Sequence, residues 1–377
     1  MAERLFARPS LGRSLGRGLG PGLARRLVIG ALVLVLVLVL VVAGLVVRER
    51  LSRSHLEEAL RLVPASSLRV GFTDWDAVRR RLGAELGDTP DREAVGDLVL
   101  QAYDTDFAAA SSIDESAGAL QETFGFGPAP AQWEAFAQGG NGAAMVLKVA
   151  EGSDFGVLAD NLRAAGYDKP EEDEGVWEGG VDLVAGLDPT ISPELQHVVL
   201  LEGPGLVVSS DDPEYAASAA KVAAGDSSSF FSVGGVADMA ARLGDPVNAM
   251  VWGEDFACTD LAMSRADDDA QAEAKSRVRE VGGVTPLAGL AMAMAPDRTL
   301  RVAAHFEDSD RARRNLRPRA ELVVGEAIGR GGSISDTLEL TSSKAVDSDV
   351  LLDLRPLTKT GYVLSAVYDG PVLFATC

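Results

Sequence analysis

Residues Leu27 to Val47 read LVIGALVLVLVLVLVVAGLVV, 21 positions without a charge, an amide or a proline. As an α-helix rising about 1.5 Å per residue, this run spans about 31 Å, the thickness of a bilayer's hydrocarbon core. A helix satisfies every backbone N–H internally, whereas the same run exposed as a strand in water is an aggregation hazard. The expected layout is a transmembrane helix over 27–47, partnered by the lipid bilayer. A basic tail, 1–26, lies on one side and a large domain on the other.

The tail carries Arg4, Arg8, Arg13, Arg17, Arg25 and Arg26 against Glu3 alone, with glycines at 12, 16, 18, 20 and 22. It has too few large apolar residues to form a core and suits an arm beside anionic headgroups. Arg48, Arg50, Arg53 and Arg61 follow the span, so orientation rests on the whole tail and on the rule that long domains translocate whatever their flanking charge. The expected location is the cell membrane, single-pass, with the N-terminus cytoplasmic and the C-terminal domain outside. The competing reading is a cleavable signal peptide with Val41-Val42-Ala43 as its small-residue site; the apolar run is longer than a usual signal core and continues past that point. Beyond the span, Leu56, Leu60 and Val63 recur at helical spacing and Glu57 precedes Arg61 by four, which predicts a juxtamembrane helical stalk over 48–64, ended by Pro64.

The net charge of the chain is −21, and the residues after 50 hold 27 basic and 54 acidic side chains, about −27. Such a domain repels phosphate backbones, so nucleic acid is not an expected partner. Its 327 residues exceed what one core usually supports, which predicts two units, 65–228 and 229–377.

Three local patterns occur twice in the same order. Phe72 to Leu82-Gly83 matches Phe231 to Leu243-Gly244; a strand at Met145–Val149 followed by Ser153-Asp154 matches Leu300–Phe306 followed by Ser309-Asp310; and Val198 to Ser209, turning at Gly203-Pro204, matches Ser365 to Thr376, turning at Gly370-Pro371. Offsets of 161, 156 and 167 point to an internal repeat of about 160 residues. Strand and helix patterns alternate without regular βαβ order: Pro128 to Pro130 introduces a helix carrying Trp133 and Phe136, a strand runs over 176–184, and Pro318 bends or breaks the helix after Ser309. Further strands are read at 337–341, 350–354, 362–368 and 372–376. The predicted class is α+β, an N-terminal transmembrane helix followed by a duplicated α+β extracytoplasmic domain with largely antiparallel sheets.

No catalytic motif, cofactor site or metal site emerges. His55, His197 and His305 are the only histidines, and none has a second ligand at metal spacing; hydrogen-bonded structural roles are expected of the last two. Gly329 to Gly332 lacks the Gly-Lys-Ser/Thr of a phosphate loop and reads as a helix stop. Glu171 to Glu174 and Asp267 to Asp269 lack the alternation and central glycine of a calcium loop and read as solvated charge. Cys258 and Cys377 are the only cysteines, and in an oxidising compartment they are expected to form one disulfide across 118 intervening residues.

The run Val63 to Trp75 (VPASSLRVGFTDW), then Phe126-Gly127-Pro128 with Gln132-Trp133-Glu134, and the ending Gly370 to Cys377 resemble a group of actinobacterial membrane-anchored proteins of unknown function. The resemblance covers most of the outer domain and implies no activity and no catalytic residue. The leading reading is a non-enzymatic envelope protein acting through protein or cell-envelope contacts with an unidentified partner. The alternative is a carrier or sensor of an apolar ligand held in a groove of the outer domain, motivated by apolar strands such as Leu290 to Met294. An enzyme stands behind both.

Overall fold

The computed structural model describes residues 53–377 except 88, 89, 330 and 360–362. The tail and the apolar span Leu27–Val47 lie outside the described residues, and no described helix is long and apolar enough to cross a membrane. Residues Ser54–Cys377 form one body built on a single sheet.

Helix α1 (His55–Leu60) opens it, with Ser54 Oγ accepting the Glu57 N–H at 3.1 Å as N-cap. The stalk expected over 48–64 is corrected here: Leu56, Ala59, Leu60 and Val63 are fully buried. The helical apolar stripe that motivated a stalk covers the sheet. Strand β1 (Ser67–Thr73) follows, then α2 (Trp75–Leu82), capped by Asp74 and stopped by Gly83 in the left-handed conformation. Helices α3 (Arg92–Asp104) and α4 (Ala117–Phe124) precede β2 (Ala131–Gly139) and β3 (Gly142–Val149). Next come α5 (Phe155–Ala165), β4 (Val176–Glu178), α6 (Gly180–Leu187), β5 (His197–Leu201), β6 (Leu206–Ser210) and α7 (Pro213–Ala223).

The second half begins with α8 (Val236–Leu243), then β7 (Asn248–Gly253), α9 (Phe256–Asp260) and α10 (Asp268–Glu280). Strands β8 (Gly289–Met294) and β9 (Leu300–His305) form a hairpin around Pro296-Asp297-Arg298. Helix α11 (Ser309–Leu322), β10 (Leu338–Val346), β11 (Asp349–Pro356) and α12 (Val363–Tyr368) complete the chain.

The sheet has eleven strands in the order β10-β11-β9-β8-β7-β1-β2-β3-β6-β5-β4, and every neighbouring pair is antiparallel. The class is therefore α+β with a large antiparallel sheet. Outward from the central β1–β7 pair the two sides run in matching order: β2, β3, β6, β5 on one and β8, β9, β11, β10 on the other. One face, carrying Val70, Phe72, Val146, Val208, Val251 and Ala291, packs under α1, α7 and α8. The other, carrying Met145, Leu147, Val207, Trp252, Met292 and Leu352, packs under the remaining helices.

Several sequence expectations change. Of the three repeated patterns, only the strand-then-Ser-Asp match joins equivalent places, β3–α5 and β9–α11. The helix after Phe231 is α8, which precedes its strand as α1 does, so it corresponds to α1 rather than α2. Residues 363–376 are not a strand pair: Val363, Leu364, Val367 and Tyr368 are buried together at helical spacing, and the counterpart of β5–β6 is β10–β11. Trp133 and Phe136 sit on strand β2, where alternation sends Trp133 to one core and Phe136 to the other. The strand expected over 176–184 stops at Glu178, and α6 follows. Pro318 lies inside α11 without ending it, because Ala312, Asn315, Arg319 and Leu322 anchor the inner face on both sides of the lost hydrogen bond.

Cys258 and Cys377 are bonded, with Cα atoms 5.6 Å apart. The same terminal segment is held by Val372 N–H donating to Leu261 O at 2.8 Å and by Arg319 donating to Phe374 O. Reduction, or Cys258→Ser, is expected to lower the unfolding free energy by about 2–5 kcal/mol. Urea titration followed by tryptophan fluorescence, with and without reductant, checks this, and coincident midpoints would contradict it.

Candidate docking groove

Helix α3 carries two apolar stripes. Val95, Leu98 and Ala102 face inward at helical spacing and are buried. Val99, Leu100 and Tyr103 form a second stripe turned toward α4, with Leu100 59% and Tyr103 38% exposed. Opposite them α4 presents only small residues, Ala117, Gly118 and Ala119, and the space between is an open groove of 460 Å³. Ala117 also belongs to a small buried cluster with Val95 and Ala129, separate from the two main cores. Gly96 also lines the groove, in the middle of α3, where a Cβ would meet no atom within 4 Å.

The rim is acidic. Asp114 and Glu115 stand at one end, and burial raises the Asp114 carboxyl above the usual carboxylate range. Asp188 stands at the other, held down to about 2 by the Thr190 hydroxyl and by Arg92. The Arg92 guanidinium closes that end by pairing with Asp188 and approaching Glu122 at 3.6 Å. Glu93, Asp97 and Asp104 are exposed along α3.

The loop joining α3 to α4 is fastened to the centre of the sheet. Glu134, fully buried on β2, accepts from Trp75 Nε1 at 2.9 Å and from the Ser112 N–H at 2.8 Å, and burial pushes its carboxyl up to about 7. Asp106, in the left-handed region at φ 63°, accepts the Val363 and Leu364 N–H groups at the start of α12. Its carbonyl accepts from Asn248 Nδ2, and Asn248 Oδ1 in turn accepts from the Tyr368 hydroxyl at 2.8 Å. Both ends of the groove's connecting loop are thus set by buried hydrogen bonds.

The other residues picked out from the sequence are structural in their surroundings. His55 Nδ1 lies 2.8 Å from Asp74, and His305 Nδ1 lies 2.7 Å from Asp349, a buried carboxylate shared with Arg242 at 3.3 Å. His197 Nδ1 is buried without a hydrogen-bond partner, so the structural bond expected of it is not made. Asp267 caps α10 by accepting the Ala270 N–H at 2.8 Å. Gly329, Gly331 and Gly332 have positive φ in a loop, but α11 already ends at Leu322 with Val323 as its C-cap, so the helix stop expected of them is not their role.

No family model and no curated protein matches this chain. A solved structure, crystal form I of TP0453, is similar over 82% of this chain and 98% of its own, with 7% sequence identity and a TM-score of 0.39.

Leu100 and Tyr103 are not among the residues picked out from the sequence; their i, i+3 spacing beside Val95, Leu98 and Ala102 is the available signal. Nothing local marked Glu134 or Asp106, because their partners are 22 to 258 positions away.

The raised Glu134 carboxyl fixes a pH dependence. Its folded value, about 7, lies above the ordinary 4.5, so the folded state holds a proton that the unfolded chain releases. The associated stability is complete below pH 4.5 and lost as pH rises through 7, a change of about 3 kcal/mol at most. His55, raised by its hydrogen bond to Asp74, acts in the same direction at higher pH. Urea midpoints measured from pH 8 to pH 5 should rise, and E134Q should flatten most of that rise.

Proposed function

We propose that this protein is a single-pass membrane protein, anchored by Leu27–Val47 with its N-terminus cytoplasmic, whose outer domain works without catalysis by docking another envelope protein in the α3–α4 groove. The observation that carries the reading is the pair Leu100 and Tyr103, apolar and exposed on a strongly acidic surface above a loop tied to the sheet. An apolar patch kept at the surface and rigidly backed is the signature of a contact site rather than of folding alone. The Cys258–Cys377 bond supports an oxidising compartment for the domain. The matching strand order on either side of β1–β7 supports a duplicated unit as its scaffold. Carriage of an apolar ligand is the alternative; the grooves found among the described residues are open and rimmed by charge, which favours a polypeptide.

Two measurements test the proposal. Protease added to intact cells, after any wall is removed, is expected to digest residues beyond 64; protection would reverse the orientation. A photo-crosslinker replacing Leu100 is expected to yield a defined adduct in cells, absent when the crosslinker replaces Val157, an exposed apolar residue of α5. Equal labelling from both positions would remove the groove from the reading.

A further inference from the structure

Resting on that docking reading, we propose that the α3–α4 groove receives one cationic amphipathic helix of a partner polypeptide, its apolar face on Leu100 and Tyr103 and its basic residues on the acidic rim. Four observations converge. First, α3 is a 13-residue helix, about 20 Å long, enough to lie along three to four turns of a partner helix, with its apolar contacts Val99, Leu100 and Tyr103 in the C-terminal half. Second, α4 contributes only Ala117, Gly118 and Ala119 to the opposing wall, so a helix can seat closely once the exposed Arg92 side chain, which packs against Gly118, moves aside.

Third, Gly96 weakens α3 relative to alanine, and the space where its Cβ would stand is empty. In the bound state that space admits the partner's side chains. Fourth, the groove already grips a cation: Arg92 sits across one end between Asp188 and Glu122, the arrangement a partner's arginine or lysine would repeat at the exposed Asp97 and Glu115. A second copy of this chain is the wrong occupant, since the residues after 50 carry about −27 and repel their like. The basic tail 1–26 is wrong as well, because in the proposed topology the membrane separates it from the groove.

The test uses the full chain in nanodiscs of zwitterionic lipid and a fluorescent 14-residue peptide of leucine and lysine, with leucines at positions 1, 4, 5, 8, 11 and 12. A second peptide of the same composition has the leucines scattered around the helix. Anisotropy titrations against empty nanodiscs give binding to the protein itself. The amphipathic peptide should bind at least tenfold tighter than the scattered one. Gly96→Leu, which fills the groove, and Leu100→Ser, which removes its anchor, should each weaken binding tenfold or more, while Val157→Ser leaves it unchanged. Thermal unfolding of each variant confirms its fold, and Leu100→Ser serves if Gly96→Leu is destabilised. Equal affinity of both peptides, or of wild type and both groove variants, overturns the inference. If that happens while the crosslinker at position 100 still gives its specific adduct, the docking reading stands and only the cationic helix fails.

Discussion

The antiparallel pairing of β1 with β7, from Arg69 opposite Trp252 to Thr73 opposite Asn248, joins the two sides of the sheet, and the rest of the molecule is arranged around it. Backbone hydrogen bonds fix this register, and a slip of one residue would turn Val70 and Phe72 away from the helices that bury them. Gly71 lies at the centre of the pairing. A Cβ there would come within 2.8 Å of the Ala110 carbonyl, so the α3–α4 loop presses directly on the central strand. Ser112 and Asp106 of the same loop are bound to Glu134 and to α12. The groove therefore takes its rigidity from the middle of the sheet, although its walls are surface helices.

The two sides of the sheet match in strand order and differ in cover. After β6 the chain forms α7 on the face of Val146 and Val208; after β11 it crosses to the opposite face as α12. Among the described residues the outer strands of the second side have no counterpart of α7 over the first face, and α8 reaches them through Arg242. Beside the buried Ala303 and Leu351, polar side chains stand there: Arg301 pairs with Asp353 at 2.6 Å, His305 with Asp349, and Lys344 is exposed. The apolar and polar choices along β9, β10 and β11 follow from which segment covers them, and the strand order alone does not decide them.

Several buried polar groups join segments distant in sequence, and they do so through backbone atoms as well as opposite charges. Arg319 is nearly fully buried, donates to the carbonyls of Phe374 and Thr285, and lies 5.6 Å from the Phe306 ring. Burial lowers its guanidinium to about 9, which leaves it a cation at neutral pH. It fastens the C-terminal segment to α11 beside the disulfide. Asp106 does the same for α12 from the other end. Removing any one of these partners would leave an unsatisfied buried group, a cost greater than the net value of the bond itself.

The sequence by itself determined what depends on neighbours along the chain. Asp74, Asp154, Asp212 and Asp267 cap their helices, an interaction that depends only on the N–H groups two or three residues ahead. The β8–β9 hairpin was legible from Pro296-Asp297-Arg298 between apolar runs, and the Cys258–Cys377 bond from a count of two. Tertiary structure decided the rest. Trp133 and Phe136 fit a helix or a strand equally until pairing with β1 and β3 made them a strand with two buried faces. The segment 363–368 has an apolar pattern compatible with either form, and Asp106, more than 250 positions earlier, supplies the acceptor at its helical start. The His55–Leu60 stripe specified a helix and left open whether lipid-side solvent or the sheet would meet it. Leu100 and Tyr103 became a candidate site only when α4 placed small residues opposite them, because exposure is a property of what fails to pack, and packing is settled by the whole fold.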